Sequence, residues 1–236
     1  LVKDDWLQVK KVGRKSYYSF TSSANNHYTK AARRIYAGSR SSISHGWLIL
    51  VPSFVDESKL PVLKRQLKWL GFSSLTAGVF AHPNFEQQSL EETIDELSLS
   101  DSVIIFSSET IDQNSTEVLK RLVFEKWNLK SLQTEYISFI KSYQSISDNS
   151  ISSLSNQQAF LLRGLLVHEY RRILLKDHEL SKDMLPGNWK GNTASELVKD
   201  LYAQLSKKSC LYIVDKLESV DGFLPKASLD FKKRFH

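Results

Sequence analysis

Residues 47–108 carry a rhythm that few folds can satisfy. Trp47-Leu48-Ile49-Leu50-Val51 is an unbroken apolar run of strand length, the pattern of a buried strand. Asp56, a residue type suited to a helix N-cap, precedes Leu60, Leu63, Leu67 and Leu70 at helical spacing, and Gly71 stops them. Strand material runs from Leu75 to Ala81. Ser89 and Glu92 have the capping-box spacing that opens a second helix through Leu90, Ile94 and Leu97, and Asp101-Ser102-Val103-Ile104-Ile105-Phe106 closes the segment as a strand. Strand, helix, strand, helix, strand in so short a span predicts a ferredoxin-like α/β sandwich, with one further strand concealed near Gly78.

The flanking sequence differs on the two sides. Ahead of the sandwich, Trp6, Leu7 and Val9 lead into a turn at Val12-Gly13-Arg14-Lys15 and return through Tyr17, Tyr18 and Phe20, which reads as a β-hairpin. Residues 22–46 are rich in Ser, Asn and Gly around the basic stretch Lys30–Tyr36, and read as a linker holding one or two helical turns. Behind the sandwich the spacing is helical. Val118, Leu119, Leu122 and Val123 mark a helix ending near Trp127, and Asn128 can cap the next, with apolar face Leu132, Tyr136, Phe139, Ile140 and Tyr143. Ser145–Ser155 reads as a loop, Phe160, Leu162, Leu165, Leu166, Ile173 and Leu174 as a third helix, and Leu197, Leu201, Leu205, Tyr212 and Leu217 as a last long one after the break at Pro186-Gly187. The expected organisation is an α/β multidomain chain: hairpin 1–21, linker 22–46, sandwich 47–110 and a mainly helical domain 111–236.

Charge is placed as unevenly as structure. Residues 1–44 hold nine basic groups, Lys3, Lys10, Lys11, Arg14, Lys15, Lys30, Arg33, Arg34 and Arg40, against Asp4 and Asp5, for +7 of a total of +6; the other 192 residues carry 23 basic and 24 acidic groups, a net −1. A polyanion is expected to dock at the amino-terminal end. The single cysteine, Cys210, excludes an intramolecular disulfide and a cysteine-based zinc cluster, and fits a reducing, cytoplasmic compartment. The longest apolar stretch, Trp47–Val55, is broken by Pro52 and Ser53 and falls short of the ~20 residues of a membrane helix. The chain begins at Leu1 and its only methionine is Met184, so the translational start is expected upstream.

Three stretches, in order, resemble the PaaX family of bacterial repressors, named for repression of phenylacetate catabolism. They are Leu1–Thr21 with Val12-Gly13-Arg14-Lys15-Ser16-Tyr17-Tyr18; Trp69-Leu70-Gly71-Phe72 with Gly78-Val79-Phe80 and Pro83; and Arg163-Gly164-Leu165-Leu166-Val167-His168-Glu169-Tyr170-Arg171-Arg172 with Leu185-Pro186, Trp189 and Gly191. The resemblance implies a winged-helix DNA-binding domain, a middle domain and a helical carboxy-terminal effector and oligomerisation domain. It implies double-stranded operator DNA as partner, a homodimer, and an acyl-CoA inducer, phenylacetyl-CoA or another aryl-acetyl-CoA thioester, with no cofactor and no catalytic activity. Under it, residues 1–21 are a winged-helix remnant that keeps the wing hairpin, and the recognition helix is expected to lie outside this chain.

Candidate residues follow from these readings. Lys10, Lys11, Arg14 and Lys15 cluster at one turn, and Ser16 and Tyr17 add hydrogen-bond donors for phosphate. His168, Arg171 and Arg172 stand at i, i+3 and i+4 on one helix, with Trp189 beyond the break; arginines suit the phosphates of a CoA ligand and an aromatic wall suits its aryl group, while the same cations also complement a helix C-terminus. His27, His45, His82, His178 and His236 have no metal-ligand spacing and read as surface or loop residues. The sandwich also resembles the small ferredoxin-like endonuclease subunit of CRISPR systems, but that family's metal-binding aspartate falls here at about Ser53, a poor magnesium ligand. Three classes therefore stay open: a DNA-binding regulator, a metal-dependent nuclease, and a scaffold without nucleic acid.

Overall fold

Gly13 closes the first pair of strands. The computed structural model describes residues 6–36, 46–83, 87–178, 180, 182–232 and 234–235. Within it β1 (Leu7–Val12) and β2 (Lys15–Phe20) pair antiparallel from Leu7↔Phe20 to Val12↔Lys15. Gly13 and Arg14 remain as a two-residue turn in which only Gly13 has positive φ, +59°, the glycine-first geometry of a type II′ turn, whose twist matches that of its strands.

The chain forms two units, one of Leu1–Ser39, Ser138–Arg172 and Gly191–His236, the other of Arg40–Ile137 and Ile173–Lys190. In the first unit, α1 (Ser22–Tyr36) follows the hairpin at once. This corrects the expected linker with one or two helical turns. Thr21 Oγ1 accepts the Ala24 N–H at 3.1 Å and caps the helix, and Ala24 and Ile35 supply a buried face too sparse to register as a periodic stripe.

The second unit runs β3 (Trp47–Pro52), α2 (Leu60–Trp69), β4 (Ser73–Thr76), β5 (Val79–Pro83), α3 (Gln87–Glu96) and β6 (Val103–Ser108). All four strands are antiparallel neighbours in the order β4-β5-β3-β6. The stretch Leu75–Ala81 is thus the hairpin between β4 and β5, turned at Gly78 with φ +75°. Two helix starts differ from expectation. Lys59, not Asp56, is the N-cap of α2, without a side-chain cap bond; Asp56 contributes its carbonyl to the N–H groups of Lys59 and Leu60, and Pro61 pre-sets the first turn. Ser89 lies inside α3, where its carbonyl accepts the Thr93 hydroxyl at 2.8 Å.

Alternation along β3 sorts the core into two layers. Leu48 and Leu50 face Leu63 and Leu67 of α2, Leu90 and Ile94 of α3, Phe72 and Phe80. Trp47 and Ile49 point the other way, to Val123, Trp127, Leu129 and Leu180. Leu50, Leu63 and Leu67 are fully buried, each contributing about 1.5–3 kcal/mol relative to exposure. Gly71 ends α2 with φ +98°: Phe72 N–H reaches the Leu67 carbonyl at 2.9 Å and Gly71 N–H the Lys68 carbonyl at 3.1 Å, the paired bonds of a Schellman motif. Against this turn sit His82 and His178, with ring centroids 6.5 Å apart and Trp127 6.0 Å from His178. His82 is buried in β5, a correction to its reading as a surface or loop residue: its register opposite Leu48 turns it inward.

The remaining helices are α4 (Gln113–Lys126), α5 (Leu129–Tyr143), α6 (Asp148–Ser153), α7 (Asn156–Leu174) and α8 (Gly191–Lys216), followed by the short strands β7 (Glu218–Ser219) and β8 (Gly222–Phe223) and a last turn, α9 (Leu229–Lys232). Asp112 caps α4 by accepting the Ser115 N–H at 2.7 Å, and those bonds hold its carboxyl below the usual carboxylate range. Asn128 ends α4 at φ +48° and its carbonyl accepts the first α5 bond, from Leu132 N–H. The expected serine loop contains α6, capped by Ser147 and closed by Lys208, whose ammonium donates to the carbonyls of Ile151, Ser152 and Leu154. The first unit's core joins these helices through aromatic rings: Phe139 lies 4.8 Å from Tyr143 and 5.8 Å from Tyr170, and Phe235 4.8 Å from Tyr202.

Candidate functional site

The register of the hairpin decides where its polar side chains go. Directly opposed residues share a face, so Lys10, Lys15 and Tyr17 lie on one side and Lys11 and Ser16 on the other, with Arg14 at the tip. Lys10, Lys11, Arg14, Lys15 and Ser16 are exposed and Tyr17 is half-buried. The Lys11 face carries Leu7, Val9, Tyr18 and Phe20 further down, and Phe20 stacks on Tyr28 of α1 at 5.5 Å and 27°. Three of the cations are recorded in no ion pair among the described residues. Lys15 is the exception: its ammonium donates to Glu218 Oε2 at 2.6 Å, and this bond raises its pKa. A protruding two-stranded ribbon with cations on both faces and at its tip can follow a phosphate backbone.

The four residues expected to contact a ligand fall in two different units. His168 and Arg171 line a cavity of about 170 Å³ against α1, with Tyr28, Ala32, Ile35 and Tyr36. That volume is below the ~300 Å³ at which ligand pockets for drug-sized molecules begin. Arg172 is exposed and does not line it. Trp189 belongs to the other unit, where its ring meets Tyr136 edge-on at 5.6 Å and packs against the Trp47 layer. A larger cavity of about 560 Å³, which no sequence motif marks, lies beside α8. The only sequence signal for it was a scatter of lysines from Lys199 to Lys232, too widely spaced to form a motif.

The nuclease alternative finds no chemistry at its expected place. Ser53 is exposed after β3, with its N–H bound to the Ser102 carbonyl at 3.0 Å. Among the described residues no group of three His, Cys, Asp or Glu side chains is placed to hold a metal ion, and no helix is long and apolar enough to cross a membrane.

Comparison with known proteins carries the assignment. Residues 42–119 match the PaaX protein central Cas2-like domain, and residues 127–214 match the PaaX-like protein C-terminal domain. The transcriptional repressor PaaX of Escherichia coli (strain K12) is 30% identical over 238 aligned positions, covering 100% of this chain and 75% of the relative. Among solved structures, the uncharacterized protein Rv0674 from Mycobacterium tuberculosis superposes with a TM-score of 0.55 at 17% identity, over 88% of this chain and 78% of that one, a likeness of fold alone. The Cas2-like description of the central domain does not indicate catalysis, and PaaX is a repressor rather than an enzyme. With a family domain on either side of residue 120 and a relative aligned along the whole of this chain, the chain belongs to the PaaX family of transcriptional repressors.

Proposed function

We propose that this chain represses an aromatic, phenylacetate-type catabolic operon by binding double-stranded operator DNA as a homodimer, and that an aryl-acetyl-CoA thioester such as phenylacetyl-CoA releases it. The observation that carries the DNA reading is the exposed hairpin, where Lys10, Lys11 and Arg14 project from a PaaX-family chain as the wing of a winged helix would. The central unit supports a dimer. Its strand–helix–strand–strand–helix–strand order supports the ferredoxin-like reading, and β6 at the sheet edge leaves Ile104, Ile105 and Phe106 between 41% and 49% exposed, a template for pairing with a second copy. The inducer rests on family membership, and thermodynamics requires only that it bind the DNA-incompetent conformation more tightly than the competent one.

Fluorescence anisotropy with duplexes from the promoters of phenylacetate catabolic genes in the source genome tests this reading. Binding of this chain to a promoter duplex, weakened by phenylacetyl-CoA and not by phenylacetate, is the expected result, with a scrambled duplex bound comparably because a wing hairpin contributes phosphate contacts. No binding to either duplex, or binding that does not respond to the thioester, would defeat it. Light scattering at micromolar concentration without DNA should give twice the chain mass.

A further inference from the structure

The cavity of about 560 Å³ in the first unit has an apolar interior and a basic rim. Tyr202, Leu211 and Val214 of α8 form one wall, and Phe231 and Phe235 of the C-terminal segment the other. Around them stand Lys199, Lys207, Lys226, Lys232 and Arg234, with Asp200 the one carboxylate among the described lining residues. None of the four lysines is recorded in an ion pair among the described residues, so their charge is available to a ligand. Arg163, 6% exposed, lies behind the aromatic wall with its guanidinium 5.2 Å from the Tyr202 ring and 5.3 Å from that of Phe231, and adds positive potential there. The volume is in the range of small-molecule sites, and the combination of apolar body and cationic mouth selects an amphiphile with several negative charges.

One rim residue also reaches α1, which stacks on the hairpin. Arg234 donates from Nη2 to the Tyr28 hydroxyl at 2.8 Å, with its guanidinium 4.3 Å from the Tyr36 ring. Tyr28 stacks on Phe20, the last residue of β2. Arg234 therefore stands between the cavity and the basic ribbon. An anionic head group competes with the Tyr28 hydroxyl for the same guanidinium, which gives the ligand a different affinity for the two arrangements of Arg234, the condition for any shift between them.

We propose that this cavity is the effector site, that it takes a polyanionic amphiphile of the acyl-CoA type, and that its occupancy is passed to the hairpin through Arg234, Tyr28 and Phe20. The site rests on the regulator reading above for its meaning, and adds to it a location and a route.

The test uses the full chain, with phenylacetyl-CoA, free CoA and phenylacetate as probes. Calorimetry is expected to show binding of phenylacetyl-CoA to the wild type and about tenfold weaker binding to Ala203→Trp, which fills the cavity, and to Lys199→Glu/Lys207→Glu, which reverses its rim, with thermal melts unchanged. Tyr28→Phe removes the Arg234 bond outside the cavity; it should bind the thioester within about twofold of wild type, yet lose most of the ligand's effect on DNA affinity. Cys210, the chain's single cysteine, lines the cavity, so phenylacetyl-CoA should slow its alkylation, a readout that needs no variant to fold. Undiminished binding in a well-folded Ala203→Trp, unprotected Cys210, or no uptake of any probe overturns the site. A Tyr28→Phe protein that still releases DNA normally overturns the route. DNA affinity of the unliganded chain is measured separately: its absence would sink the regulator reading while leaving cavity binding standing.

Discussion

Lys15 donates to Glu218 Oε2 across 2.6 Å, so one cation of the hairpin is already engaged by a carboxylate of its own chain. Both side chains are exposed, at 66% and 38%, and such pairs contribute little to stability, so the consequence lies in binding. Glu218→Gln removes a negative charge beside the ribbon and frees Lys15 for a phosphate. DNA affinity should rise and its salt dependence steepen by about one counterion. Lys10→Ala/Lys11→Ala should act oppositely, weakening promoter and scrambled duplexes alike and lowering the slope of log K against log salt by about 2. Anisotropy titrations between about 50 and 200 mM salt give both slopes. An unchanged slope in the double variant would remove the hairpin from the DNA interface.

Legibility followed the strength of the local signal. The hairpin was plain because Gly13 sits between two aromatic-rich runs, and α2 because four leucines at helical spacing end at Gly71. Helix α1 was not, since its cap is a threonine at the end of a strand and its buried residues, Ala24 and Ile35, are far apart in sequence. Helix α6 was hidden by serines that read as loop, although Ser147 is its cap and Lys208, 54 to 57 residues away, satisfies its carbonyls. The cavity beside α8 depends on a C-terminal segment folding back onto a helix, a long-range event that no spacing announces. His168 and Arg171 share a cavity wall as their spacing implied, whereas Trp189 followed them in sequence but belongs to the other unit.

Gly71→Ala should destabilise the second unit by more than the loss of a C-cap glycine alone. At φ +98° a side chain is strained, and its Cβ would lie 2.8 Å from His82 Nε2 and 3.0 Å from His178 Nδ1. The strain costs about 1–3 kcal/mol, to which displacement of the buried His82 ring adds. Denaturant melts followed by tryptophan fluorescence report it well, because Trp127 donates its indole N–H to the Gly71 carbonyl at 3.3 Å. A midpoint equal to wild type would mean that the turn relaxes freely.

Lys208 is a structural lysine rather than a binding one. Its ammonium donates to the carbonyls of Ile151, Ser152 and Leu154 at 3.2, 2.7 and 2.6 Å, closing the C-terminal end of α6. Lys208→Met keeps the stem and removes the donors, leaving three carbonyls without that partner; hydrogen bonds to charged groups contribute about 1.5–3 kcal/mol, and a loss in that range is expected. Hydrogen exchange should quicken in residues 148–154 while α2 and α3 stay protected. Unaltered exchange in α6 would show that water replaces the ammonium without loss.

Burial holds the hydroxyls of Tyr36, Tyr143 and Tyr202 above the ordinary tyrosine value of 10.0, and for Tyr143 the neighbouring Glu169 carboxylate, which also bonds to it, adds to the effect. The folded chain therefore keeps protons that the unfolded chain gives up once the pH passes 10. Above that point unfolding releases protons, so the stability due to these groups is complete below pH 10 and declines as the pH climbs toward the folded values. Tm measured from about pH 8 to about pH 11 should be flat at first and then fall, and absorbance titration should show these phenols ionising only as the protein unfolds. Tyr143→Phe removes the group raised furthest and should make the alkaline fall shallower than in wild type. Identical falls in the two proteins would show that Tyr143 does not drive the alkaline transition.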